Sequence, residues 1–200
     1  MQQQRGEVVA ESIRSQGRIA AAHEFDLGEA DNVSRLFSTC EAKIGPVDVL
    51  VINHTHDVYE TFDPAMVTNE PFGVSVTNAQ SIDRHFAVNA RASALMMREF
   101  LQRYLARKAQ SGRIITLSTV LAHSRNVSYA ASKHALVSYS MSAAREMGRY
   151  GITVNVVCPG ATQTGYISPE AESQIAIETP LRRVGTAEDV ADVITFLASE

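Results

Sequence analysis

The sequence has few cysteines, few aromatic residues and no tryptophan. Its two cysteines, Cys40 and Cys158, lie far apart and lack metal-ligand spacing, so we expect a reducing compartment and no disulfide framework. No apolar run approaches the roughly 20 residues that a membrane-spanning helix needs. The polar opening MQQQRGEVVA lacks the pattern of a signal peptide. We therefore predict a cytoplasmic protein without a membrane partner.

Charge and composition narrow the function classes further. The formal net charge of −4 gives no reason to expect nucleic acid as a partner. A hydrophobic fraction of 45% is ordinary for a globular protein. A chain of 200 residues is long enough for one domain, which we expect to cover residues 1–200.

Helical and strand-like patterns alternate along the chain. The patterns predict strands over 18–27, 47–52, 112–118 and 152–158. They predict helices over 7–15, 29–45, 81–108, 128–149 and from 187 onward. Residues 57–80 resemble a long loop because they contain three glycine or proline residues at 64, 71 and 73. Strands separated by long helices indicate right-handed crossovers, so the predicted fold is a doubly wound α/β sheet of parallel strands.

Polar or turn-forming residues stand at the carboxyl ends of the predicted strands. Such ends meet at one edge of a parallel sheet, where ligands bind in this architecture. The candidates are Asp26, Asn53, Ser118 or Thr119, and the pair Pro159 and Gly160.

The stretch SYAASK, residues 128–133, places Tyr129 and Lys133 four residues apart in a predicted helix. That spacing puts both side chains on one helix face. A free phenol has a pKa of about 10, and a nearby ammonium lowers it toward neutral pH. The pair by itself is also typical of a solvated helix face, so its meaning depends on the surrounding motifs.

Several motifs occur in an order that resembles the short-chain dehydrogenase/reductase family. They are VDVLVINH, FAVNARA, GRIITLST, SYAASKHAL and GITVNVVCPGATQT, and the tail PLRRVGTAEDVADVITFLAS is similar to 3-oxoacyl-carrier-protein reductases. The resemblance extends from residue 26 to residue 199. It implies a Rossmann-like fold and an NAD- or NADP-dependent oxidoreductase that interconverts a carbonyl and a secondary alcohol. The nearest reaction in the family is 3-oxoacyl reduction.

The resemblance also implies roles for individual residues. Tyr129 would be the general acid, and Lys133 would lower its pKa and bind the nicotinamide ribose. Asn89 would hold a proton-relay water. The hydroxyl that binds the substrate oxygen would come from Ser118 or Thr119. Alignment of the strand points to Thr119, but the short stretch before Tyr129 leads us to favour Ser118.

Cofactor contacts and assembly follow from the same resemblance. Asp26 would lie near the adenine and Asn53 near the adenosine. A segment of the type PG…T would line the nicotinamide and pyrophosphate, and its residues here are Pro159, Gly160 and Thr164. The helix over 128–149 would form a homodimer or homotetramer interface. The substrate would be a small carbonyl or alcohol.

The sequence departs from the family pattern in ways that leave alternatives open. The family's NNAG reads INHT at 52–55, and no TGxxxGxG turn occurs in the chain. We expect a sheet without its first βαβ unit and last strand, which would be rearranged, completed by another chain, or unstable alone. The alternative functions are a non-catalytic remnant or partner subunit and a halohydrin dehalogenase. The dehalogenase carries arginine at the position of Lys133. The sequence does not distinguish NAD from NADP.

Overall fold

A computed structural model describes residues 2–68, 73–119 and 125–199. The helices are α1 (Gln2–Ser15), α2 (Asp31–Ile44), α3 (Ala79–His85), α4 (Ala92–Ala106), α5 (Val127–Met147), α6 (Pro169–Glu178) and α7 (Ala187–Ala198). The strands are β1 (Val49–Ile52), β2 (Glu60–Thr61), β3 (Ser75–Val76), β4 (Gly112–Leu117) and β5 (Ile152–Val157).

The main sheet consists of three parallel strands in the order β1-β4-β5. The central strand β4 is almost completely buried, and Ile114 and Ile115 point to opposite faces with 0% exposure. Helices connect consecutive strands of this sheet, as parallel pairing requires. The predicted α/β class with a parallel, Rossmann-like sheet is confirmed.

The main core forms where helices α2, α4 and α5 pack around the sheet. Phe100 and Tyr104 of α4 and Leu136 of α5 are among its largest buried side chains. The Tyr104 hydroxyl donates to the Tyr150 carbonyl oxygen at 2.7 Å. This bond satisfies the one polar group of an otherwise apolar side chain, and it joins α4 to the segment that leads into β5.

The prediction of a strand over 18–27 is wrong. Residues 18–26 have no regular secondary structure and lie against α1, where the Arg14 guanidinium donates to the Ala20 carbonyl oxygen at 3.1 Å. The apolar pattern was suited to a strand, but a strand exists only when a neighbour accepts its backbone hydrogen bonds. Among the described residues, none pairs with this segment as a strand.

The apolar, β-branched run VDVLVI at 47–52 also predicts a strand that is covered on both faces, and this is wrong for β1. Val49 and Val51 are 39% and 40% exposed, whereas Ile52 is 1% exposed. In the described part of the chain, β1 has a neighbour only on the side of β4. One edge and part of one face of the sheet are therefore open.

Two other segments are more structured than their sequence patterns indicated. Within the predicted loop over 57–80, β2 and β3 form a small parallel pair. The long predicted helix exists, but a π-helical turn over Phe86–Arg91 separates α3 from α4. None of the helices in the described residues is long and apolar enough to cross a membrane.

Candidate active site

The carboxyl ends of β1, β4 and β5 bring several predicted site residues to one edge of the sheet. Asn53 follows β1 and is exposed, Ser118 follows β4 and is buried, and Pro159 lies just beyond β5 and is half-buried. Asp26 does not stand at the end of a strand, because residues 18–26 form none. Of the four predicted strand ends that carry candidate site residues, three therefore exist and lie at one edge of the sheet.

Lys133 connects α5 to two of these strand ends. Its side chain is buried, with a relative exposure of 3%. Its ammonium donates to the Leu117 carbonyl oxygen at 3.0 Å and to the His54 carbonyl oxygen at 3.4 Å. Leu117 is the last residue of β4, and His54 lies two residues beyond the end of β1. The two bonds therefore hold the lysine ammonium at this edge of the sheet. Tyr129, one turn earlier on the helix, is half-buried.

Burial controls the protonation of both side chains. Desolvation lowers the pKa of Lys133 from 10.5 to about 8, against a smaller opposing effect of the Asp57 carboxylate. Desolvation and then the charge of Asp57 raise the pKa of Tyr129 above its ordinary value. The predicted lowering of the Tyr129 pKa is therefore not found in this structure. At neutral pH the phenol is protonated, which suits a proton donor.

The two candidate hydroxyls after β4 differ in their surroundings. Ser118 is 6% exposed, and its hydroxyl donates to the backbone carbonyl oxygen of Lys133 at 2.9 Å. This bond fastens the strand end to α5. Thr119 is half-buried and lies one residue further from the sheet. The geometry favours a structural role for Ser118, and the choice between the two stays a prediction.

Asn89 lies in the π-helical turn and is fully buried. Its Oδ1 accepts from the His56 backbone N–H at 2.6 Å, and its Nδ2 donates to the His56 carbonyl oxygen at 2.8 Å. Nδ2 also donates to the Ser132 hydroxyl at 3.0 Å. Asn89 thus joins the loop after β1 to the helix that carries Tyr129 and Lys133. Turns of this π type occur often at functional sites.

The three neighbouring histidines occupy different environments. His54 is half-buried, its Nε2 lies 2.9 Å from the Val88 carbonyl oxygen, and desolvation lowers its pKa. His85 is fully buried, and its ring packs edge-on against His56 at 4.6 Å between centroids. Among the described residues, no group of histidine, cysteine, aspartate or glutamate side chains forms a potential metal site.

The residues at the nicotinamide side of a cofactor site leave room for a ligand. A Cβ atom added to Gly160 would meet no atom within 4 Å, and Thr164 is exposed. Asn53, predicted near the adenosine, is also exposed. At the adenine side, the Asp26 carboxylate is already bound by Arg84 at 2.9 Å and by the Gly28 N–H at 2.8 Å. The residues present therefore fit the nicotinamide half of a dinucleotide, while a glycine-rich cradle for its pyrophosphate is absent from the sequence.

Comparison with known proteins establishes the family. A family model described as enoyl-(acyl carrier protein) reductase matches residues 1–200. A 3-oxoacyl-[acyl-carrier-protein] reductase of Staphylococcus aureus is 30% identical over 203 residues, which cover 98% of this chain and 77% of the relative. The chain belongs to the short-chain dehydrogenase/reductase family. An uncharacterized oxidoreductase of Bacillus subtilis is 30% identical over 193 residues, covering 95% of this chain and 72% of that relative.

A further relative in the short-chain dehydrogenase/reductase family is named for a different activity. A cyclohexanol dehydrogenase of Rhodococcus is 28% identical over 205 residues, which cover 98% of this chain and 72% of the relative. Similar identity to enzymes with an acyl-carrier substrate and with a cyclic alcohol supports the oxidoreductase class. It does not single out one substrate.

Sequence reasoning missed several residues around the site. Asp57 is close enough to influence the pKa values of Tyr129 and Lys133. Glu60 is a fully buried carboxylate beside the start of α5. Both lie in the segment that the sequence described only as a loop, where no periodic pattern marks a buried side chain. The only indication in the sequence was that Asp57 lies four residues after the candidate residue Asn53.

Proposed function

We propose that this chain is an NAD(P)-dependent oxidoreductase that interconverts a carbonyl and a secondary alcohol. The observation that carries the proposal is the position of Lys133, buried at the ends of β1 and β4 with its ammonium on the Leu117 and His54 carbonyl oxygens. A buried ammonium there is consistent with binding a polar ligand at the sheet edge. Tyr129 stands on the same helix, one turn away.

The chain's own residues would divide the work of proton transfer and orientation. Tyr129 would donate a proton to the carbonyl oxygen during reduction, because its raised pKa keeps it protonated near pH 7. The Thr119 hydroxyl would hold the same oxygen. Lys133 would bind the nicotinamide ribose, and Pro159, Gly160 and Thr164 would line the nicotinamide and pyrophosphate. Asn53 would contact the adenosine side of the cofactor. A bound nicotinamide cofactor would supply the hydride.

For the substrate, we propose 3-oxoacyl thioester reduction as the first reaction to test. The proposal rests on the 30% identity to the staphylococcal reductase. A cyclic ketone and its alcohol form the second substrate pair, since the Rhodococcus relative is a cyclohexanol dehydrogenase. A 3-oxoacyl thioester and a cyclic ketone share only the carbonyl group that would be reduced, so the site needs a common contact only at that carbonyl.

A second candidate function is that of a partner subunit without catalysis. The observation that favours it is the edge of β1 that is unpaired within the described part of the chain, where Val49 and Val51 are exposed. Unpaired strand edges are templates for pairing with another chain. In this case the buried Lys133 would be retained for its contacts to the sheet ends.

The exposed surface of α5 bears on whether the chain associates with copies of itself. Tyr139 and Met141 on α5 are 47% and 59% exposed, and a helix that presents large apolar side chains is suited to an interface. We propose a homodimer or homotetramer. Light scattering over a range of protein concentrations tests this, and a monomer mass at every concentration would contradict it.

A cofactor titration tests the proposed function. The protein is titrated with NADPH and with NADH while cofactor fluorescence is followed, and the same sample is melted thermally with and without cofactor. Saturable binding that raises the melting temperature supports the oxidoreductase. A cooperative melt that neither cofactor changes would contradict it and favour the partner subunit. Turnover is then measured with an acetoacetyl thioester and with cyclohexanone.

A further inference from the structure

The start of α5 has an unusual set of hydrogen bonds. Its preceding residue, Asn126, makes no capping bond to the helix, and its side chain instead faces Asp57 at 3.4 Å. The first helical bond runs from the Ala130 N–H to the Asn126 carbonyl oxygen at 2.9 Å. The backbone N–H groups before Ala130 therefore need acceptors from outside the helix.

Glu60 is placed at this helix end. Its backbone N–H donates to the Arg125 carbonyl oxygen at 2.8 Å, and it forms a parallel bridge with Asn126. Its side chain has 0% exposure. The carboxylate is thus enclosed between β2 and the first turn of α5, at the positive end of a helix of 21 residues.

Hydroxyl groups surround the Glu60 carboxylate. The Thr77 hydroxyl lies 3.4 Å from Glu60 Oε2 and 3.4 Å from the Ser128 hydroxyl. Burial is the largest single influence on the Glu60 pKa and would raise it. Hydrogen bonds from the hydroxyls of Ser128 and Ser81, the electrostatic influence of His85 and a hydrogen bond from the Ser128 backbone N–H together outweigh burial and lower the pKa. Glu60 therefore stays ionised at neutral pH. Its other oxygen, Oε1, accepts no hydrogen bond from the described residues, so the carboxylate keeps acceptor capacity.

Thr77 connects the Glu60 carboxylate to Ser128, the residue before the candidate acid. Ser128 is 3% exposed and precedes Tyr129 in the first turn of α5. A displacement of Ser128 would move the backbone of Tyr129 with it, while Lys133, one turn further on, is fixed separately by the Leu117 carbonyl oxygen. The distance from the phenol to the strand ends therefore depends on how the first turn is held.

We propose that Glu60 is a positioning residue for Tyr129, whose carboxylate replaces the missing cap of α5 and fixes the turn that carries the phenol. The inference rests on the proposed function, in which Tyr129 donates the proton. Glu60 touches neither substrate nor cofactor. It acts through Ser128, and its effect is on geometry.

The test compares Glu60→Gln with Glu99→Gln. Glu99 of α4 is a matched control, because it is also a buried carboxylate, with 7% exposure. It accepts from the Arg103 guanidinium at 2.8 Å and from the Ser34 hydroxyl at 3.0 Å. Both variants retain the shape of the side chain and lose its charge. For each, the melting temperature, the ring resonance of carbon-13-labelled Tyr129, kcat and KM are measured. Tyr129→Phe assigns the resonance.

Both variants are expected to melt at lower temperature, and only Glu60→Gln is expected to shift the Tyr129 resonance. Its kcat should fall by about tenfold or more, because small misplacements of a reacting group reduce rates by up to about 100-fold. KM should stay within about twofold, as expected when a transition-state interaction is lost. An unchanged Tyr129 resonance with kcat within about twofold of wild type would overturn the proposal.

Two further outcomes are distinguishable. If the wild-type protein shows no turnover, the proposed function fails, while the Tyr129 resonance still decides whether Glu60 positions the phenol. If Glu60→Gln does not fold, Ser128→Ala takes its place, since it removes the hydroxyl between the carboxylate and the turn. The same shift of the Tyr129 resonance is expected, and its absence would overturn the proposal.

Discussion

The side-chain amide of Asn89 donates to the Ser132 hydroxyl at 3.0 Å. Ser132 in turn donates to the Tyr129 carbonyl oxygen at 2.8 Å. On its other side, Asn89 bonds both backbone groups of His56. One buried amide thus joins the π-helical turn, the loop after β1 and the helix that carries the candidate acid.

Asn89→Ala should therefore reduce both stability and activity. It removes the bonds to both backbone groups of the half-buried His56 and to the buried Ser132 hydroxyl, so we expect unfolding by urea to show a loss of about 2–4 kcal/mol. Asn32→Ala is the control, because the side-chain bonds of Asn32 are exposed: it donates to the Asp26 carbonyl oxygen and accepts from the Arg35 guanidinium. Its replacement should lose only about 0.5–1.5 kcal/mol. Equal losses would mean that the Asn89 network has no special importance.

Tyr129→Phe should abolish proton donation and leave the fold intact. The phenol is half-buried at the sheet edge, and loss of a general acid lowers rates by about 10²- to 10⁴-fold. Steady-state reduction of whichever proposed substrate the wild-type protein turns over, acetoacetyl thioester or cyclohexanone, measures this effect. Tyr139→Phe, on the exposed part of the same helix, serves as control. Unchanged kcat in Tyr129→Phe would contradict the proposed mechanism.

The pKa of about 8 for Lys133 predicts how stability depends on pH. Because this pKa is lower in the folded chain than the unfolded value of 10.5, the unfolded chain binds more protons between these two values. Stability must then rise with pH in that window. The free energy of unfolding of wild type should rise between pH 7 and 10 by about 2 kcal/mol relative to Lys133→Met.

The difference between the two proteins is the quantity to compare, because it cancels the titration of all other groups. Urea unfolding at several pH values supplies it. A constant difference from pH 7 to 10 would mean that Lys133 titrates alike in the folded and unfolded chains.

The two hydroxyls after β4 should respond differently to substitution. Thr119→Val keeps the side-chain shape and removes the hydroxyl, and kcat should fall by about 100-fold if that hydroxyl binds the substrate oxygen. Ser118→Ala removes the bond to the Lys133 carbonyl oxygen and should lower stability by about 1 kcal/mol with little change in kcat. The reverse pattern would assign the substrate contact to Ser118.

Sequence patterns were sufficient for the elements whose stability is mainly local or whose burial is complete. β4 has an apolar sequence because its buried positions admit few other residues. β5 was also predicted from its β-branched residues, although only Ile152 of that strand is buried. The helices α2, α5 and α7 followed from periodicity and from terminal signals such as Gly45, which adopts a φ of 87° at the end of α2. The spacing of Tyr129 and Lys133 placed them on one helix, and the family motifs gave them a chemical meaning.

Only the tertiary structure decided which pattern became a strand and which polar side chain became buried. Residues 18–27 have a suitable strand pattern, yet strand formation depends on a neighbour that no local sequence specifies. Ser118 and Thr119 both carry a hydroxyl group, and the sequence does not distinguish their roles. The position of α5 determines that the Ser118 hydroxyl donates to the Lys133 carbonyl oxygen. The sequence pattern around Glu60 predicts a loop, yet its side chain is buried because α5, distant in sequence, begins beside it. Long-range contacts fix these features, since they depend on which surfaces meet when the chain folds.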